Sequence, residues 1–202
     1  MQFKSWDLTS AETEVGYLLL KGFSLRDIAR LRETSERTVR EQARAIYRKA
    51  ACWLHEDAAV ALTRAIKLAA ELDLKFLVFD AYRPVEAQWK LWDYKPDPDF
   101  LADPRRGSPH SRGVAIDLTL TRFDGTPLEM GTKFDDFSER AYHNCQNLAP
   151  EIRRNRYLLL GLMASAGWDH YLNEWWHYQL YNPRRYPLLW DSAASTGMML
   201  EK

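Results

Sequence analysis

The sequence predicts an α+β fold: a small antiparallel sheet with flanking helices, preceded by a short all-α segment. Three observations carry this. Residues 1 to about 50 contain no proline and repeat helix-start signals. Beyond them, apolar periodicity switches between the helical and the alternating kind. Asp124-Gly125, between two such stretches, is a turn signal for an antiparallel hairpin.

The elements follow in order. Thr9-Ser-Ala-Glu12 reads as a capping box opening a helix with Val15, Leu18 and Leu19 on one face, and Gly22 is placed to end it. Ser24 can cap a second short helix carrying Leu25, Ile28 and Ala29. Ser35 can cap a third, with Val39, Ala43 and Ile46 inside. Three short helices with tight joints suggest a helix-turn-helix. The character then shifts. An amphipathic helix is expected over about 56–72, then a buried strand over 75–79. "GVAIDLTLTRF" alternates and reads as a strand, residues 151–166 as a helix, and the aromatic "EWWHYQL" as a final strand. The expected division is a helix-turn-helix-like segment, 1–50, and a second domain, 51–202.

Composition sets bounds. A chain of 202 residues, 46% hydrophobic and 28% charged, can bury a core without staples. Zero net charge points to no nucleic-acid or membrane partner by bulk electrostatics. No apolar run reaches the roughly 18 residues of a membrane span. No basic region followed by an apolar run opens the chain, so the cytoplasm is the expected location. Cys52 and Cys145 are far apart in sequence and read as free thiols. Oligomeric state is not legible.

Charge is not evenly spread. Residues 1–50 hold ten Lys and Arg against seven Asp and Glu, a local +3 that leaves −3 for the remainder. From Arg37 to Lys49 five basic residues face one acidic. Such a stripe suits phosphate contacts, and equally a solvated helix face. The stretch "LTSAETEVGYLLLKGFSLRDIARLRETSERTVREQARAIYRKA", residues 8–50, resembles the DNA-binding module of LuxR-type regulators. That family reads DNA with its third helix. The resemblance implies duplex DNA as a partner, met by Arg37, Thr38, Arg40 and Arg44.

The chemistry-bearing residues lie further on. Of five histidines, His110 has Asp117 seven residues on, and His177 has Glu174 three before it. A zinc hydrolase needs three protein ligands, an open position for water, and a carboxylate to take that water's proton. His110, Asp117 and His177 would supply the ligands, and Glu174 the free carboxylate. Spacing alone is a weak signal, and residues three apart on a regular strand face opposite ways. Glu174 and His177 converge only if a bend or a strand start separates them. Arg83, before Pro84, could equally be a loop arginine pairing with Asp80. Asp135 could be a surface or capping acid, and Ser108 an ordinary turn residue. Trp175 and Trp176 read as wall and core.

Five blocks, "AACWLHEDAAVAL", "VFDAYRP", "SPHSRGVAIDLTL", "MGTKFD" and "EWWHYQL", occur in one order over about residues 47–191. Together they resemble the zinc D-alanyl-D-alanine dipeptidases of the VanX type, within the D-Ala-D-Ala carboxypeptidase-like enzymes. The resemblance implies a zinc peptidase cleft with one Zn2+ per chain, held by His110, Asp117 and His177. It implies Glu174 as general base, and Arg83 as the group that stabilises the oxyanion. It implies Asp135 facing the ammonium of a small dipeptide substrate, and Ser108 near its carboxylate. The substrate would be the cell-wall dipeptide D-alanyl-D-alanine. The family's extended N-terminal segment is not found here, and the regulator-like helices stand in its place. Two further classes follow from that junction: a DNA-binding regulator with an enzyme-derived sensor domain, and a catalytically weakened zinc-binding scaffold.

Overall fold

The computed structural model describes residues 9, 11–12, 14–15, 25–49, 52–94, 96–98, 101–196 and 198–199, and of residues 43–49 the backbone alone. The chain divides into two compact units, residues 1–51 with 195–202, and residues 52–194.

In the smaller unit the capping box forms. Thr9 N donates to Glu12 Oε2 (2.8 Å), and Glu12 N donates to Thr9 Oγ1 (3.2 Å). Val15 is fully buried; Leu18, Leu19, Gly22 and Ser24 lie outside the described residues. Helix α1 (Leu25–Leu31) buries Ile28 and Ala29, and helix α2 (Glu36–Lys49) buries Val39. Ser35 caps α2, its Oγ accepting from Thr38 N at 3.0 Å. Glu33, at φ 49°, turns the chain between the helices. Arg32 ties the unit together by donating to Glu14 and Gln42.

The larger unit is built on a four-stranded sheet of order β1-β2-β4-β3: β1 (Leu74–Asp80), β2 (Ala115–Arg122), β3 (Trp168–Tyr171) and β4 (Glu174–Leu180). All three pairings are antiparallel. The central strand β2 is buried on both faces from Ala115 to Thr121, so its apolar and polar residues alternate while none meets water. Ile116, Leu118 and Leu120 enter the core, and Asp117 faces the other way. Helix α3 (Glu56–Ala70) buries Ala58, Ala61, Ala65 and Ala69, a stripe at helical spacing. His55 caps it, Nδ1 accepting from Asp57 N. Helix α4 (Val85–Tyr94) follows β1, and α5 (Pro150–Ser165), opened by a proline at its start, lies beside α3 and β3. A last short helix, α6 (Asp191–Ala194), closes the unit.

The expected helices and strands of this unit appear within a residue or two of their expected ends, and α4, β3 and α6 add to them. The hairpin at Asp124-Gly125 is shorter than expected. The chain turns there, yet only Thr121 and Pro127 bridge across it. Arg122 N donates to Thr126 O (2.8 Å) and Leu128 N to Leu120 O (2.9 Å) on either side of that bridge, and the chain then leaves the sheet for a long loop. Cys52 and Cys145 are free thiols. Among the described residues, no helix is long and apolar enough to cross a membrane.

Candidate metal centre and active site

The site begins with strand register. In the β2–β4 ladder Asp117 stands directly opposite His177. Its third member comes from a tight 3-10 turn, His110–Arg112, just before β2. Gly113 ends that turn at φ 66°, and a Cβ there would meet His55 N at 3.0 Å, so glycine is required on both counts. Ser108 Oγ accepts from His110 N (3.2 Å), and Leu189 N donates to Ser111 O (2.8 Å), fixing the turn from either side.

The result is one tight cluster. His177 Nδ1 lies 2.9 Å from Asp117 Oδ1, His110 Nε2 lies 3.3 Å from the same oxygen, and the two nitrogens are 3.2 Å apart. All three side chains are buried. Each ring also has a partner at its outer nitrogen. His110 Nδ1 lies 2.7 Å from the carbonyl oxygen of Ala81, which can only accept, so Nδ1 holds the hydrogen and Nε2 the lone pair. His177 Nε2 lies 3.2 Å from Gln179 Oε1, so donation there would free Nδ1 as a lone pair facing Asp117 and His110. With both outer nitrogens donating, three electron pairs point at one place, an arrangement that a cation relieves. Without one, the cluster draws protons instead. Burial disfavours a charged His110, but Asp117 and Asp80 outweigh it and raise its pKa. Burial opposes ionisation of Asp117, and the two histidines hold its carboxyl well below the usual range. The residues fit a metal ion.

Glu174 reaches the same cluster through an irregularity. On β3, His170 pairs with Tyr178, but the next residue, Tyr171, pairs with Glu174. Residues 175 to 177 thus have no partner on β3, an irregularity at the start of β4, where the spacing required a bend or a strand start. Glu174 Oε2 comes 3.8 Å from His177 Nδ1. Burial pushes its carboxyl up to about 8; His177 and Arg83 oppose this, while Asp117 and Asp135 add to it.

Arg83 emerges from the end of β1, where Asp80 pairs across to Asp117. Its Nε and Nη2 donate to Asp80 Oδ2 (2.8 and 2.5 Å), and Nη1 donates to Gln88 Oε1 (2.8 Å). The pairing with Asp80 expected from sequence thus exists, and it aims the guanidinium. Three N–H groups are used, and one on each terminal nitrogen remains. Burial would lower its pKa, but Asp80 first, then Asp117 and Asp135, keep it fully charged. Gln88 is 1% exposed and itself anchored to Ala102 O (2.7 Å); sequence reasoning did not single it out. Its signal was a polar side chain on the buried face of a helix.

Asp135 sits on the loop between β2 and α5 in the left-handed region, at φ 58°. Its side chain is exposed, yet loss of surrounding water to the neighbouring protein raises its pKa to about 6, Asp117 adding to this and Arg83 opposing it. Ser108 is buried and spends its hydroxyl on the turn. Trp175 and Trp176 are core residues, as expected. His143 and His170 stack edge-on away from the cluster.

In the smaller unit Arg37 is exposed and pairs with Glu41 on its own helix (3.1 Å). Thr38 shares its hydroxyl with Ser35 (2.8 Å), and Arg40 is exposed. The side chain of Arg44, like those of Ala43 and Ile46, lies outside the described residues.

Comparison with known proteins agrees with the cluster. The family model for M15 peptidases, described as D-ala-D-ala dipeptidase, matches residues 30–188. A D-alanyl-D-alanine dipeptidase of Escherichia coli (strain K12) is 44% identical over 151 residues, 75% of this chain and 78% of the relative. One of Enterococcus faecium is 36% identical over 143 residues, 61% of this chain and 71% of the relative. One of Enterococcus faecalis is 34% identical over 141 residues, 60% and 70% of the two chains. The family match begins inside α1, so the peptidase resemblance reaches back into the helical unit. The chain belongs to the D-ala-D-ala dipeptidase family of M15 peptidases.

Proposed function

We propose that the protein hydrolyses the dipeptide D-alanyl-D-alanine with one zinc ion per chain. The observation that carries this is the convergence of three lone-pair donors beside the buried Glu174 in a chain of this family. The donor spacings of 2.9–3.3 Å suit zinc: tetrahedral ligands about 2.0–2.1 Å from the ion stand about 3.3 Å apart. His110, Asp117 and His177 would hold the ion. Bound there, zinc supplies Lewis-acid polarisation of the peptide carbonyl and acidifies water.

The chain's own groups do the rest. Glu174 accepts a proton from the water that attacks the peptide carbon, and returns it to the leaving amine as the C–N bond breaks. Arg83, oriented by Asp80 and Gln88, presents its two remaining N–H groups to the developing oxyanion. Asp135 receives the free ammonium, and Ser108 lies near the terminal carboxylate. A site that demands both charged ends selects a free dipeptide over the interior of a longer chain.

The test is D-Ala-D-Ala turnover with and without a chelator, beside Glu174→Ala. We expect chelator-sensitive activity and a loss of about a hundred- to ten-thousandfold in kcat for the variant. Chelator-insensitive hydrolysis, or an unchanged variant, overturns the mechanism. Metal bound at one per chain with no turnover identifies a weakened scaffold instead.

A second reading is that the helical unit also holds duplex DNA. It is supported by the LuxR-like sequence, the helix pair α1–α2 with its Ser35 cap and the exposed Arg40. Binding would fall steeply as salt rises. No binding at low salt overturns it.

A further inference from the structure

Arg156 lies on the apolar stripe of α5, in step with Leu159 and Met163, and is 2% exposed. It forms no salt bridge among the described residues. A guanidinium buried without a carboxylate is costly, and an apolar side chain would fill the same place more cheaply. Burial lowers its pKa to about 10, still high enough to keep the charge.

What the charge does is visible in its partners. Nε donates to Met130 O (2.7 Å), Nη2 to Arg140 O (2.8 Å) and Nη1 to Tyr142 O (3.0 Å). These carbonyls flank one loop at its two ends, and Asp135 sits between them. The same loop is pressed against α5 at Gly131, where a Cβ would meet Ile152 Cγ2 at 2.9 Å. Asn155, the residue before Arg156, donates to Glu129 O (2.9 Å). On the inner side Phe134 stacks on Phe79, and Trp175 Nε1 donates to Thr132 Oγ1 (2.7 Å). Trp175 lies against the Arg156 guanidinium (5.8 Å to the ring centre) and is the chain neighbour of Glu174. Arg156 therefore joins the Asp135 loop to the strand that carries Glu174 and His177. Asp135, in a backbone conformation unfavourable for a non-glycine residue, depends on such outside restraint.

We propose that Arg156 is a specificity-determining positioning residue. By closing the loop from Met130 to Tyr142 it fixes Asp135 relative to the metal-side donors, and so sets the preference for a dipeptide with a free N-terminal ammonium. This rests on the reading of Asp135 as the ammonium partner.

The experiment compares kcat/KM for D-Ala-D-Ala and for its N-acetyl derivative in the zinc-loaded full chain. The variants are Asp135→Asn, Arg156→Lys and the double. Lysine keeps the charge but not the three-way fork. Arg156→Lys is expected to raise KM for the free dipeptide about tenfold with kcat within about twofold, as a misplaced contact does. The free-to-acetylated ratio should fall with it, and the double variant should be no worse than Asp135→Asn. Bound zinc and circular dichroism should match the parent. A parental ratio in folded Arg156→Lys, or effects that multiply in the double, overturns the proposal while the reading of Asp135 stands. An unchanged ratio in Asp135→Asn overturns both. If Arg156→Lys does not fold, Asn155→Ala, which frees the Glu129 end of the same loop, replaces it under the same criteria.

Discussion

The two sides of this site are held by different means. On the metal side, His110, Asp117 and His177 hang from adjacent strands and the turn that feeds one of them, so hydrogen-bonded register places them. On the other side, Asp135 hangs from a long loop with no ladder of its own, a loop held by Arg156, Asn155 and Trp175. Register is fixed jointly by the buried side-chain pattern and many ladder hydrogen bonds, so no single contact carries it. A loop held by side chains is only as fixed as each of those contacts. The contrast teaches that precision can be built locally where charge is concentrated, and assembled from long-range contacts where a ligand must enter.

The largest effect should come from breaking the register-borne side at its centre. His177→Ala should abolish both bound metal and turnover, read by metal analysis and D-Ala-D-Ala hydrolysis. Residual zinc at parental stoichiometry would show that His110 and Asp117 suffice. A smaller effect is expected one contact further out. Gln179→Ala removes the side chain that faces His177 Nε2 and should weaken metal affinity about 10- to 100-fold, measured by competition with a chelator. An unchanged affinity would mean the strand alone orients the ring.

Stability probes sharpen the other side. His143 is buried and its ring nitrogens make no well-aligned hydrogen bond among the described residues, the Glu174 backbone only weakly favouring the charged ring. Burial, then His170 and Arg156, push its pKa down to about 4. The unfolded chain, with an ordinary histidine near 6.5, then binds the proton that the folded one refuses. Stability should fall as pH drops from about 6.5 to about 4, by up to about 3 kcal/mol from this group. Comparing unfolding of the parent and His143→Phe across that window checks it; equal slopes would refute the assignment. Gly131→Ala should cost about 1–3 kcal/mol, since it adds a Cβ at φ 82° against Ile152. Thermal unfolding measures this, and the metal affinity of the folded variant should stay at the parental value.

Much of the larger unit was legible because its signals are local. "GVAIDLTLTRF" carries strand alternation, "EWWHYQL" is rich in aromatic residues, the α3 alanines recur at helical spacing, and each matches its element. The cluster of His110, Asp117 and His177 was legible through a motif rather than through distance, because their meeting depends on β2 and β4 becoming neighbours. Why Glu174 joins them was not legible: the register slip at Tyr171 is a property of the β3–β4 pair, not of either segment. Arg156 and Gln88 were missed for a related reason. Each is a polar residue on an apolar helical face, a signal present in the sequence, but their partners lie on loops no periodicity predicts. Of the smaller unit, the Thr9–Glu12 box and the Ser35 cap were readable as sequence grammar.

The slip in β4 has a consequence for how such chemistry travels between proteins. On a helix, a glutamate and a histidine three apart share a face without help. Here the same pair is usable only because the chain steps out of phase just there. Copying the four letters E-W-W-H into a regular strand would send acid and ligand to opposite sides of the sheet. What must be transplanted is the defect, together with the neighbouring strand whose corner at Tyr171 produces it.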